Sequence, residues 1–198
     1  GDSLKTDKTW LTAEQMLGTS ATNVSVAETD ITGVTASGPA SVTYGQSGTT
    51  PIQLTIDCGE DVNYGCLWYE LKESGWTMIK GDGNDTGYPP CNLNAGNHTI
   101  RAAVRSDTKG GCVLSNAVTV EVAKASIADA SVTLVKSNLE YNGKAQYPEV
   151  ESVNLYGTPL TPGKDYSVTC TSQTDAGSYT LTVNGMGNYS GKIENVAW

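Results

Sequence analysis

His98 is the single histidine of the chain, and the cysteines are Cys58, Cys66, Cys91, Cys112 and Cys170. Acid–base or nucleophilic chemistry of the Ser-His or Cys-His kind would have to pass through His98. That residue opens an alternating stretch just after Gly96-Asn97, where a polar surface histidine is ordinary. No two cysteines form a C-x-x-C pair, and a lone histidine does not complete a Cys/His zinc site, so no metal or cofactor is expected. Paired acids occur at Glu70 and Glu73, beside one expected hairpin, and at Glu149 and Glu151, two apart on one strand face. Glycosidic hydrolysis needs two carboxyl groups ~5–10 Å apart in a cleft. Neither pair is flanked by the aromatic residues of such a cleft, and solvated strand faces are the expectation.

Two further spellings are weighed against their context. Gly1-Asp2-Ser3-Leu4 reads like a hydrolase nucleophile motif, but that serine follows a buried strand and meets a late Asp-x-x-His. Here no strand precedes Ser3, and Ala95 stands three residues before His98. Asp82-Gly83-Asn84-Asp85-Thr86-Gly87 begins like an oxygen-ligand calcium loop. Leu93 occupies the position of the terminal acid, which makes a polar turn the expectation. Asn-x-Ser/Thr sequences at Asn23, Asn84, Asn97 and Asn188 matter only in a source that glycosylates them. No enzymatic activity is expected.

Composition narrows the class. Charged residues are 17% of the 198, below the ~25% of an average soluble protein. Glycine is abundant at 22 and phenylalanine absent, with tyrosine at 10, a balance that favours strands and turns over helices. A net charge of −9 argues against nucleic-acid and anionic-membrane partners. No apolar run approaches the ~20 residues of a membrane span, so no membrane insertion is expected of this segment. The cysteine usage points to an oxidising, extracellular compartment. No secretory apolar stretch opens the sequence, so a mature or trimmed chain is expected.

The elements that must carry any site are strands. Residues 1–29 are weakly patterned, with Thr12-Ala13-Glu14-Gln15 in the form of a capping box and Trp10 and Leu11 placed to dock. From residue 30 to 124 the apolar period is two. Ile52, Leu54, Ile56 and Cys58 form one buried face; Ile100, Ala102 and Val104 another; Val118, Val120 and Val122 a third. Leu67–Leu71 and Trp76–Lys80 read as a hairpin about Lys72–Gly75. After Lys124-Ala125-Ser126 the period persists through Val132, Leu134, Tyr166, Val168, Cys170, Leu181 and Val183, defining a second domain over 125–198. If Trp68 points inward, Leu67, Tyr69 and Leu71 point outward, with Trp76 and Tyr88 as flanks. Such a stripe is a candidate binding surface for a protein or glycan; the alternatives are packing against residues 1–29 or the second domain.

The second domain resembles a bacterial immunoglobulin-like repeat found in tandem on surface and secreted proteins. The residues that carry the likeness are Tyr141-Asn142-Gly143, Leu160, Gly163-Lys164-Asp165-Tyr166-Ser167-Val168, Asp175-Ala176-Gly177-Ser178-Tyr179 and Gly185-Met186-Gly187-Asn188-Tyr189-Ser190-Gly191. The first domain resembles an immunoglobulin-type sandwich more loosely. Trp68 sits where such domains hold a core tryptophan on the third strand, but residues 98–106 contain no cysteine for the usual inter-sheet bridge. The resemblance implies an all-β protein of two immunoglobulin-like β-sandwich domains in tandem after a short N-terminal segment. Four cysteines admit three pairings. In such a sandwich the loops bearing Cys66 and Cys112 share one end, which favours Cys66–Cys112 with Cys58–Cys91, leaving Cys170 a buried thiol. The implied function is a non-catalytic extracellular module of a bacterial surface or secreted protein, serving cell adhesion, ligand binding or as a stalk within a larger assembly. The alternative is a carbohydrate-binding accessory module of a larger secreted enzyme.

Overall fold

Alternating β-branched and polar residues, broken every few positions by Gly, Asn and Asp, produce short strands and tight turns throughout. The structure, a computed structural model, describes residues 29–198, apart from the side chain of Asp82. The capping box at Thr12, Trp10, Leu11 and Ser3 lie outside the described residues. The described chain is all-β, with one short 3-10 turn at Pro90–Asn92. It divides into two units. The first holds residues up to Val42 together with Gln46–Val122, and the second holds Thr43–Gly45 with Ala123–Trp198.

The first unit is built from β1 (Ile31–Ser37), β2 (Ser41–Thr43), β3 (Ile52–Cys58), β4 (Tyr64–Lys72), β5 (Gly75–Gly83), β6 (Gly87–Tyr88), β7 (Gly96–Ser106), β8 (Cys112–Leu114) and β9 (Val118–Ala123). One sheet has the order β1-β3-β6; the other has the order β2-β9-β7-β4-β5, with β8 also paired to β7. Most pairs are antiparallel. The exception is β2 beside β9. Ala40 O accepts from Glu121 N and Tyr44 N donates to Ala123 O, so both strands advance together and the pairing is parallel. Between the sheets lie Val34, Ala36, Ile52, Leu54, Trp68, Ile100, Ala102, Val104 and Val120, all buried. Trp68 is fully buried, with its ring 5.6 Å from that of Tyr88 and its indole N–H donating to Asp85 O. Asn116 interrupts the run from β8 to β9 and grips β1, accepting from Ala36 N at 2.8 Å and donating to Ala36 O at 2.9 Å. The edge strand β5 shifts register against β4 between Cys66 and Trp68 and again between Trp68 and Tyr69.

The second unit comprises β10 (Ala125–Ser126), β11 (Ser131–Leu134), β12 (Val150–Leu155), β13 (Thr158–Pro159), β14 (Tyr166–Thr169), β15 (Thr180–Gly185), β16 (Tyr189–Ser190) and β17 (Lys192–Ala197). Two three-stranded sheets, β11-β12-β13 and β14-β15-β17, enclose a core of Ile127, Val153, Leu155, Leu160, Tyr166, Leu181 and Val183. β10 pairs in parallel with β16, Ala125 opposite Tyr189.

The glycines of the Gly185–Gly191 run have separate physical reasons. A Cβ on Gly185 would lie 2.8 Å from Ser190 O, against backbone that cannot rotate away. Gly187 has φ +63°, and a Cβ there would lie 2.7 Å from Lys164 O. Between them and Gly191, Tyr189 is buried and meets Tyr44 edge-on at 5.6 Å.

Candidate functional site

The proposed outer stripe is covered. β4 alternates Cys66, Trp68 and Glu70 on one face with Leu67, Tyr69 and Leu71 on the other, and both faces are buried along most of its length. Leu67, Tyr69 and Trp76 form a second apolar cluster with Ala103, Cys112 and Leu114. Arg101 on β7 lays its guanidinium 5.4 Å from the Trp76 ring centre and donates twice to Ser115 O, at 3.1 and 2.7 Å. Burial pulls its pKa down and pushes the Tyr69 hydroxyl up to about 12. Tyr88 faces Trp68 between the sheets, its own pKa raised by burial, then by Glu70 and Cys91. Of the five aromatic and aliphatic candidates, only Leu71 stands exposed, at 45%, beyond the end of the cluster. Leu67, Tyr69, Trp76 and Tyr88 are therefore not solvent-facing as the sequence suggested, whereas Leu71 is. The alternation identified the outward face, but small neighbours and a spread arginine close over it.

His98 is half-buried rather than a loose surface group. Its Nδ1 meets Glu70 Oε1, and its Nε2 donates to the carbonyl of Asn94 at 2.7 Å. Lys72 Nζ approaches the other Glu70 oxygen at 3.6 Å. Both ring nitrogens are therefore engaged, Nδ1 by a buried carboxylate and Nε2 by a backbone carbonyl. Glu70, read from sequence as one half of a solvated pair, is itself buried at 7%. Nothing in the spacing of residues 70 and 98 announces their contact, which depends on β4 pairing with β7.

None of the cysteines is in a disulfide, and the favoured pairings do not fit the sheets. Cys66 sits opposite Val104 of β7, whereas Cys112 sits opposite Arg105 on the far side of that strand. Two strand spacings, about 9–10 Å, separate them, and their side chains leave opposite faces. A disulfide needs Cα atoms within about 7 Å. For Cys58–Cys91, Tyr88 pairs with Ile52 at the other end of β3 from Cys58, and the chain leads onward from there to Cys91. Six residues of strand amount to about 20 Å. Cys66, Cys91 and Cys112 are buried, and burial pushes the Cys112 thiol up to about 12 against the opposing pull of Arg105. Alkylation of native protein at pH 8 is expected to label Cys58 and Cys170 quickly and the other three only after denaturation. Rapid native labelling of Cys112, read by mass spectrometry, contradicts this arrangement.

Two concave surfaces lie in the second unit, walled in large part by turns and strand ends. A cavity of about 550 Å³ lies between β12 and β14, lined by Tyr147, Pro148, Val150, Leu160, Tyr166, Val168 and Cys170, with Glu149 and Glu151 also on its wall. A smaller one of about 220 Å³ lies where the turns around Asn138–Gln146 and Gln173–Ser178 meet Tyr179 and Trp198. Tyr141, Tyr147 and Tyr156 are 70%, 68% and 81% exposed. The available signal was tyrosine in turn-rich stretches rather than on strand faces; Tyr141 was read only as part of a structural run. Among the described residues no three His, Cys, Asp or Glu side chains converge as a metal site, and no helix is long and apolar enough to cross a membrane. Compared with models of known protein families, with characterised proteins and with solved structures, the chain finds no match.

Proposed function

We propose that this chain is a non-catalytic extracellular module of a bacterial surface or secreted protein, made of two immunoglobulin-like β-sandwiches that carry tension between an attachment point and a partner. The observation that supports this most directly is shared by both units: an early strand lies parallel to a strand near the unit's end, β2 beside β9 and β10 beside β16. Tension applied through the two ends of such a unit pulls these partners in opposite directions along their length. Their hydrogen bonds are then strained together, in shear, instead of opening one after another as in a hairpin peeled from its tip. That is a useful property for a stalk or adhesion segment.

Single-molecule pulling tests the reading. Handles at the chain ends are expected to give two unfolding events at high force. Handles on Glu73 and Ser74, at the tip of the β4–β5 hairpin, and on the C-terminal end are expected to unfold the first unit at clearly lower force. Equal forces in the two geometries would remove the mechanical basis of the proposal. A second reading, a carbohydrate-binding accessory module, is supported by the smaller cavity of the second unit, whose wall mixes aromatic rings with amides.

A further inference from the structure

We infer that the smaller cavity of the second unit is a binding site for a single pyranose ring at the end or edge of a neutral glycan. A pyranose has an apolar C–H face and a rim of hydroxyls that both donate and accept. A site for it needs a flat aromatic surface beside side chains with donors and acceptors to spare. The cavity supplies both. Tyr179 and Trp198 form its aromatic wall, their ring centres 5.2 Å apart and tilted by 38°. Tyr141 stands at the rim, 70% exposed.

The polar complement comes from two turns clamped together. Gln146 and Gln173 exchange backbone hydrogen bonds at 2.9 and 2.8 Å, which sets the two turns at a defined separation. Gln146 spends its side-chain amide on Glu140 O, and Tyr179 its hydroxyl on Asp175 O. Gln173, Asn138 and Asp175 also line the cavity, and among the described residues their side-chain amides and carboxylate have no hydrogen-bond partner. Two amides and a carboxylate, carried on turns that the Gln146–Gln173 backbone pair ties together, offer donors and acceptors at one surface. Polar groups and the rings of Tyr141, Tyr179 and Trp198 thus share one concave surface, the combination a sugar ring needs.

Charge selects among glycans. Asp175 is the acid on the cavity wall, no Lys or Arg lines it, and the whole chain carries −9. Uronic and sialic acids would meet like charge, so the ring is neutral. The larger cavity between β12 and β14 carries Glu149 and Glu151 but no side-chain amide, its wall being chiefly Val, Leu, Pro and Tyr.

The inference rests on the carbohydrate reading above and not on the mechanical one, so its failure leaves the pulling experiment untouched. The test is a screen of the full chain against immobilised neutral oligosaccharides and their uronic-acid counterparts, followed by titration calorimetry with the best neutral tetrasaccharide. Saturable binding of a neutral probe is expected, weakened about tenfold by Tyr141→Ala through loss of ring contact. Gln173→Ala is expected to weaken it similarly through loss of the amide. Tyr156→Ala, an exposed tyrosine outside the cavity, is expected to leave the affinity unchanged. Tyr141 and Gln173 variants with native melting temperatures and undiminished affinity would overturn the site. So would the absence of binding to every neutral probe, or a preference for the acidic ones.

Discussion

Trp68→Ala is expected to cost the first unit about 3–5 kcal/mol, the range for removing a fully buried tryptophan. Against the ~5–15 kcal/mol that holds a domain folded, this leaves the unit at the edge of unfolding at room temperature. The size follows from position. Trp68 is completely buried on β4, spans the gap between sheets to reach Tyr88, and satisfies Asp85 O with its indole N–H. Truncation opens a cavity that two paired sheets cannot collapse, and it leaves a carbonyl short of a donor. Urea titration followed by hydrogen exchange at β4 and β7 amides measures the loss. Trp76→Ala serves as the comparison on the opposite face. A Trp68→Ala midpoint within about 0.5 kcal/mol of the parent would show that the inter-sheet core is built differently.

The second large effect is expected from the glycine run. Gly185→Ala places a methyl 2.8 Å from Ser190 O, and the obstacle is backbone in the strand that pairs with β10. Overpacking of this kind costs about 1–3 kcal/mol. Gly187→Ala meets Lys164 O at 2.7 Å and also forces an L-residue to φ +63°, a strain of about 1–2 kcal/mol by itself. Gly157 provides the control. It too has positive φ, +85°, but nothing lies within 4 Å of its added Cβ. Gly157→Ala should therefore cost only the backbone strain. Thermal unfolding of the second unit should rank the variants with Gly187→Ala least stable and Gly157→Ala mildest. A Gly187→Ala melt matching that of Gly157→Ala would refute the close-approach argument.

These two cases mark what could be read from the chain and what could not. Period two along Ile52–Cys58, Leu67–Leu71 and Val118–Val122 reports how each strand divides its side chains between faces, because pleating is a local property. It does not report what lies above each face. Tyr69 and Trp76 were outward as expected, yet they are buried, since Ala103 and Leu114 come from strands distant in sequence. The Glu70–His98 contact and the separation of Cys66 from Cys112 are likewise matters of which strand neighbours which. Parallel pairing of β2 with β9 joins segments some eighty residues apart by a few backbone bonds, with no side-chain code to announce it. The smaller cavity was hidden for another reason. Its groups sit in turns, where side-chain direction follows individual φ and ψ values and no period exists to read.

One feature of the first unit bears on how copies of this chain behave when crowded together. Among the described residues β5 is the outermost strand of its sheet, and a straight outer strand offers its spare amides to any similar strand it meets. Its two register shifts, and the glycines at Gly81 and Gly83, bend that ladder away from the regular spacing a stranger would need. Neighbouring copies held at high local concentration would thus slide past one another without zipping into fibres. Straightening β5, by deleting one residue from each bulge, should turn a well-behaved protein into one that clumps.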